Sequence, residues 1–156
     1  MMHEDPARQL TLRAILLSVV LTVVLAAANA YLGLFAGLTV ATAIPAAVVS
    51  MGVLRLLGRV SVLENNIVAT GASAGSSIAA GTIFTIPALV LLGQWQRFDY
   101  WWVLAIAGLG GLLGVLFSVP LRRTLIIEQD LKFPEGVATA EVLKIGENHG
   151  PGLRAL

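Results

Sequence analysis

The sequence predicts an all-α, multi-pass integral membrane protein built as a helical bundle. Hydrophobic residues make up 57% of the 156 residues and charged residues only 12%, whereas a soluble domain carries about 25% charged residues. No Asp, Glu, Lys or Arg occurs over residues 14–54 or 65–96. At about 1.5 Å per residue, a helix through either run is longer than the roughly 30 Å hydrocarbon core of a bilayer.

Glycines, prolines and charges divide the chain into about four membrane segments. Gly33 and Gly37 mark a turn within the first charge-free run, since glycine relaxes a helix. Pro87 predicts a break in the third segment, because proline removes an N–H donor and clashes with the preceding turn. The predicted organisation is an N-terminal segment over 1–13, membrane helices at about 14–32, 39–57, 62–93 (broken) and 100–121, and a loop with the start of a fifth helix over 122–156.

The basic residues predict a cytoplasmic N-terminus, because Lys and Arg in short loops favour the cytoplasmic side. If 62–93 crosses the membrane once, Arg97 alone falls outside. The arginines that then fall inside are Arg8, Arg13, Arg55, Arg59, Arg122 and Arg123. We therefore expect a protein of the cell membrane with its two polar end segments, 1–13 and 122–156, in the cytoplasm.

Glycines spaced four residues apart predict close helix packing. Small residues at this spacing let two helix backbones approach in lipid, where packing drives helix association. The predicted packing positions are Gly33 and Gly37, Gly71 and Gly75, and Gly110 and Gly114.

Hydroxyl groups in the third segment are the first candidates for a polar site. Ser73, Ser76 and Ser77 lie among glycines and alanines at membrane depth, where they could either bond back to their own helix or face a substrate. Thr85 and Pro87 follow, at the predicted break. Unwound backbone at membrane depth is tolerated only when it is buried in protein or lines a cavity, and transporters use it to contact substrates.

Glu64, Asn65 and Asn66 gather a carboxylate and two amides at the start of the third segment. One interpretation is structural: Ser61 and Glu64 have the spacing of a capping box. The other is a proton carrier or cation contact, because an ionisable group near membrane depth is costly without a role. Asn29 and Tyr31, near the outer end of the first helix, are further candidates, although Tyr31 also suits an interfacial anchor.

Two more acidic residues lie near the end of the chain, at a predicted helix start. Glu135 follows Pro134 in the first turn of that helix, where an acid suits the helix dipole. Glu141 is either part of a cytoplasmic entrance or a surface partner of Lys144, three residues on.

Other classes of function find little support in the composition. There is no cysteine, and no nucleophile, base and orienting group occur together, so we expect no enzyme activity, no metal site and no cofactor. A net charge of +1 provides no field that would attract nucleic acid.

Several ordered motifs resemble the N-terminal part of the oligopeptide transporter (OPT) family, which includes the yellow-stripe-like branch. The resemblance covers about residues 12–147. The motifs are NAYLGLFAGLT (29–39), IPAA (44–47), SMG (50–52), SVLENN (61–66), ASAG (72–75), FTIPAL (84–89), FPEG (133–136) and AEVL (140–143). The resemblance to this family implies a secondary active transporter, coupled to protons, that moves short peptides or metal chelates by symport.

Members of that family are several times longer and have more than a dozen membrane segments, so we expect this chain to be a fragment of a longer transporter. The expected partners are the lipid bilayer, a small peptide or metal-chelate substrate, protons, and either the missing C-terminal part or further copies of the chain. The alternative is a structural or assembly subunit of a membrane complex with no transport activity of its own.

Overall fold

The computed structural model describes residues 10–58, 61–129 and 131–148, and within these ranges the chain is helical, with no strand. This confirms the predicted all-α class. Residues 1–9, with the predicted cytoplasmic Arg8, and Arg59 lie outside the described ranges. The helices are α1 (Leu12–Ala36), α2 (Ala43–Leu56), α3 (Val62–Leu91), α4 (Tyr100–Arg122), continued by a π-helical segment (Arg123–Glu128), and α5 (Pro134–Asn148).

Helices α1 and α3 form the central pair and run parallel to each other. The residue numbers of their contacting pairs increase along both helices, from Arg13 with Glu64, through Thr22 with Gly71, to Asn29 with Ser76. The surrounding core is rich in alanine, which suits closely spaced helices in lipid. Its buried members are Ala14, Leu21, Ala46, Ala47, Leu54, Val68, Ala69, Ala72 and Leu143.

Helix α2 is shorter than the sequence predicted, and this corrects the membrane helix expected over 39–57. It has 14 residues, which is about 21 Å and less than the roughly 30 Å of a hydrocarbon core. Residues 37–42 are not helical, and they return alongside α1 so that Val40 lies beside Asn29. Helix α2 therefore starts inside the bundle, next to the middle of α3.

Helix α3 is continuous through Pro87 to Leu91, so the predicted break in this segment was wrong. Pro87 removes the N–H that would bond to the Ile83 carbonyl, and a membrane helix tolerates one such gap. The nearby Thr85 and Thr82 hydroxyls donate to the Gly81 and Ile78 carbonyls, each at 2.9 Å, and do not replace that bond. The non-helical backbone of this bundle lies at 37–42 instead.

Within the described ranges, three helices are long and apolar enough to cross a membrane, namely Leu12–Ala36, Val62–Leu91 and Tyr100–Glu128. Helix α4 runs back along α3, with Gly111 next to Ile78 and Val103 near Pro87. Helix α5 packs on α2 and α3. Its first turn lies beside the middle of α3, because Glu135 and Ser73 line the same cavity.

Candidate functional site

The Glu64 carboxylate joins the start of α3 to the start of α1. Its side chain is 1% exposed and accepts hydrogen bonds from Arg13 Nε and Nη2, each at 2.6 Å, and from the Thr11 hydroxyl. Ser61 is the N-cap residue, but its side chain makes no capping hydrogen bond, so the serine half of the predicted capping box is absent. The Glu64 side chain therefore links α3 to the start of α1.

Asn65 and Ser50 hold α2 against α3. The Asn65 side chain is buried, donates to the Ala47 carbonyl at 3.2 Å and accepts a hydrogen bond from the Ser50 hydroxyl. Every polar contact of this amide lies within the α2–α3 interface. Its neighbour Asn66 lies on a different face of α3 and lines a cavity.

Asn29 fixes the non-helical segment 37–42. Its Nδ2 donates to the Val40 carbonyl at 2.9 Å, and its Oδ1 accepts from the Val40 N–H at 3.0 Å, as a neighbouring strand would. Nδ2 also donates to the Ser76 hydroxyl at 2.6 Å. One buried amide thereby joins α1, this segment and α3.

A polar stripe on α3 lines a cavity of about 500 Å³. Its side chains are spaced by four, three and four residues, which places them on one face of a helix. Ser73 is 11 residues from the start of α3, about 17 Å along its axis. The stripe is Asn66, Thr70, Ser73 and Ser77, and the opposite wall comprises Phe133, Glu135, Gly136, Thr139, Ala140 and Leu143.

A second cavity, of about 270 Å³, continues from the first, because Ser73, Ser77 and Glu135 line both. Its other wall is the non-helical backbone of 39–42, together with Asn29 and Ser76. The Ser77 hydroxyl bonds back to the Ser73 carbonyl at 3.0 Å, as the structural alternative predicted. The Ser73 hydroxyl has no hydrogen-bond partner among the described residues and is available to a ligand.

The remaining predicted site residues lie away from these two cavities. Thr85 lines a separate space between α3 and α4, and Pro87 lines an apolar one near Tyr100. Tyr31 is exposed and stacks on Phe35, with ring centroids 5.8 Å apart. Glu141 is exposed and lies 3.7 Å from Lys144 Nζ, as the surface-pair interpretation predicted.

The predicted packing glycines occupy three different settings. A Cβ at Gly71 or Gly75 would collide with Ser18 or Thr22 of α1, and one at Gly33 would collide with Ile83. Gly37 ends α1 with a φ of 67°, a conformation that glycine adopts without strain. Gly110 and Gly114 have no atom of the described chain within 4 Å of a Cβ position, so packing there stays a prediction.

Sequence reasoning missed four hydroxyl side chains of the cavities: Thr39, Thr42, Thr70 and Thr139. The helical spacing of Thr70 from Asn66 and Ser73 was a usable signal. Nothing in the local pattern identified Thr42 or Thr139, because their position depends on the return of segment 37–42 and on the docking of α5.

Comparison with known proteins identifies the family. The family described as OPT oligopeptide transporter protein matches residues 9–155. A Haemophilus influenzae protein named "Putative oligopeptide transporter" is 49% identical over 114 residues, which cover 73% of this chain and 18% of that relative. The chain thus spans only about a fifth of the length of the curated relative it matches, and no solved structure matches it significantly. The chain belongs to the OPT oligopeptide transporter family.

Proposed function

We propose that the protein is a secondary active transporter that carries short peptides or metal chelates across a membrane together with protons, and that this chain forms one wall of the substrate path. The observation that carries the proposal is the polar cavity beside the middle of α3, bounded by the non-helical backbone of 39–42. Non-helical backbone at membrane depth is typical of transporter binding sites. Family membership supports the same activity.

Within this proposal, the cavity residues contact the substrate. The polar stripe supplies hydrogen bonds, and Glu135 supplies a carboxylate that has no ion-pair partner among the described residues. Glu141 already has Lys144 as a partner at the surface. We therefore assign substrate contact to Glu135.

We assign proton coupling to Glu64. Protonation would cancel its attraction for Arg13 and so loosen α1 against the start of α3, two residues before Asn66 of the cavity. A helix pair that has two arrangements, with one charge deciding between them, is a simple device for linking a proton to a conformational change.

Uptake into proteoliposomes tests the proposed function. The product of the complete reading frame is reconstituted, and accumulation of trialanine or of a ferric aminocarboxylate chelate is followed under an imposed inward proton gradient. We expect accumulation above the external concentration that a protonophore abolishes. Absence of gradient-dependent uptake for both substrate classes would rule the function out.

A pair of serine variants tests the position of the path. Ser73→Leu fills the cavity and is expected to reduce uptake at least tenfold at unchanged protein level. Ser118→Leu is the matched control, because the Ser118 hydroxyl bonds only to the Val115 carbonyl of its own helix, at 2.8 Å, on exposed α4. Equal uptake by the two variants would exclude the Ser73 cavity as the path.

The alternative, a structural subunit, draws support from α4, none of whose residues is buried within the described chain. Such a helix requires either lipid or further helices around it. A fixed partner that co-purifies with the protein, combined with no uptake, would favour this alternative.

A further inference from the structure

The N-terminus of α2 opens into the substrate cavity. Thr42 is the N-cap residue and lines the smaller cavity, and Ala43, the first helical residue, lines the larger one. The first backbone hydrogen bond of α2 runs from the Ala46 N–H to the Thr42 carbonyl, at 2.9 Å. The N–H groups of Ala43 and Ile44 precede it and point out of the helix end, where the helix dipole is positive.

Thr42 is a second and independent observation that indicates a ligand there. The residue is only 6% exposed, and its side chain makes neither a capping bond nor any other hydrogen bond among the described residues. No fully buried side-chain N or O atom in the described chain lacks a hydrogen-bond partner. The Thr42 hydroxyl is therefore in contact with the cavity space and free to donate to a ligand.

The charges around the cavity at the N-terminus of α2 favour a ligand that carries one negative and one positive group. Two backbone N–H groups and a hydroxyl donor suit a carboxylate, as at other helix N-termini. A simple anion would also lie near the unpaired Glu135 carboxylate, which lines both cavities and would repel it. A zwitterion avoids this repulsion, because its ammonium group can approach Glu135.

We propose that the N-terminus of α2 and the Thr42 hydroxyl bind the terminal carboxylate of a peptide, while Glu135 binds its terminal ammonium group. This inference rests on the proposed function and narrows it, because it selects unblocked peptides over ligands whose carboxylates are engaged with a metal. The Ser73 hydroxyl lines the same cavity and is available to contact the peptide backbone.

Calorimetric binding to the purified product of the complete reading frame tests the subsite. The probes are trialanine, trialanine amide and N-acetyl-trialanine. Hydrogen bonds to a charged group contribute enough for roughly a tenfold preference in Kd for trialanine over its amide. Thr42→Val is expected to remove most of that preference by weakening trialanine alone, and Thr42→Ser to retain it.

Two further variants complete the experiment. Glu135→Gln is expected to remove roughly a tenfold preference for trialanine over N-acetyl-trialanine. Thr124→Val, beyond the end of α4, is the matched threonine control and should leave all three Kd values unchanged.

The outcomes separate the subsite from the proposed function. Equal Kd values for trialanine and its amide, no binding of any probe, or a Thr42→Val variant that weakens both peptides equally would overturn the subsite. Uptake of peptides together with equal Kd values would leave the function standing. The binding preference without any gradient-driven uptake would support the subsite and overturn the function.

Discussion

At the residue scale, the Glu64 carboxylate makes the clearest prediction. Glu64→Gln removes the buried charge that pairs with the half-buried Arg13 guanidinium. We expect a loss of about 2–3 kcal/mol of stability, less than for a fully buried ion pair because Arg13 is 38% exposed. If Glu64 also couples the proton, uptake should lose its dependence on the proton gradient. Thermal unfolding in detergent and gradient-driven uptake measure the two effects.

The exposed pair of Glu141 with Lys144 is the matched control for that substitution. Glu141→Gln is expected to change stability by less than about 0.5 kcal/mol, as is usual for exposed pairs. If Glu64→Gln kept an unchanged gradient dependence, the coupling role would be excluded. If it also kept wild-type stability, the ion pair would not hold α1 to α3.

The identity of the polar site residues was partly predictable from the sequence. Asn66, Ser73, Ser77 and Glu135 were identified by residue type, and the structure brings them to one cavity. The role of Asn29 was not predictable, because its three hydrogen bonds depend on two other segments folding against it. The sequence shows which side chains are polar, whereas their hydrogen-bond partners depend on the tertiary structure.

At the scale of elements, the contact between α1 and α3 depends on small residues. Gly75→Val places a side chain where Thr22 of α1 already lies, so it should push the helices apart. Overpacking of this kind costs about 1–3 kcal/mol. Thermal unfolding of the variant is expected to show that loss, and the uptake rate should fall because the cavity beside α3 is distorted.

A second substitution tests whether the stability loss of Gly75→Val comes from its contact with Thr22. Thr22→Ala makes room for the new valine. The loss of unfolding free energy in the double variant with Gly75→Val should therefore be smaller than the sum of the losses in the two single variants. Strictly additive losses would mean that the two residues do not touch.

The helices themselves were more predictable than their interruptions. The predicted apolar segments 14–32, 62–93 and 100–121 located α1, α3 and α4, since hydrophobicity over a bilayer's thickness is a property of sequence alone. The break was assigned to Pro87, but α3 continues through it to Leu91, because the loss of one N–H does not end a helix that is otherwise fully bonded. The real interruption, at 37–42, is held by Asn29, whose side chain replaces the missing helical bonds of Val40.

At the scale of the whole molecule, the order of the helices predicts which loops face each side of the membrane. The link after α2 lies at the Arg13 end of the bundle, and the link between α3 and α4 lies at the other end. Since basic residues favour the cytoplasm, we propose that the Arg13 end is cytoplasmic. Single cysteines at exposed Leu57 and Gln96 test this, and this chain has no cysteine of its own.

A membrane-impermeant maleimide should label Gln96→Cys in intact cells and Leu57→Cys only after permeabilisation. The reverse pattern would place the N-terminus outside. Labelling of both positions from the same side would contradict the single crossing of α3.

The return of the chain through 37–56 also has a consequence for biosynthesis. The stretch consists of six non-helical residues and a 14-residue helix, and each backbone group without a hydrogen-bond partner costs several kcal/mol in lipid. This stretch is therefore a poor substrate for insertion on its own as it leaves the ribosome. Its partners come from both sides of it in the chain, because Asn29 precedes it and Asn65 and Ser76 follow. We therefore expect residues 37–56 to insert stably only after α3 has been made.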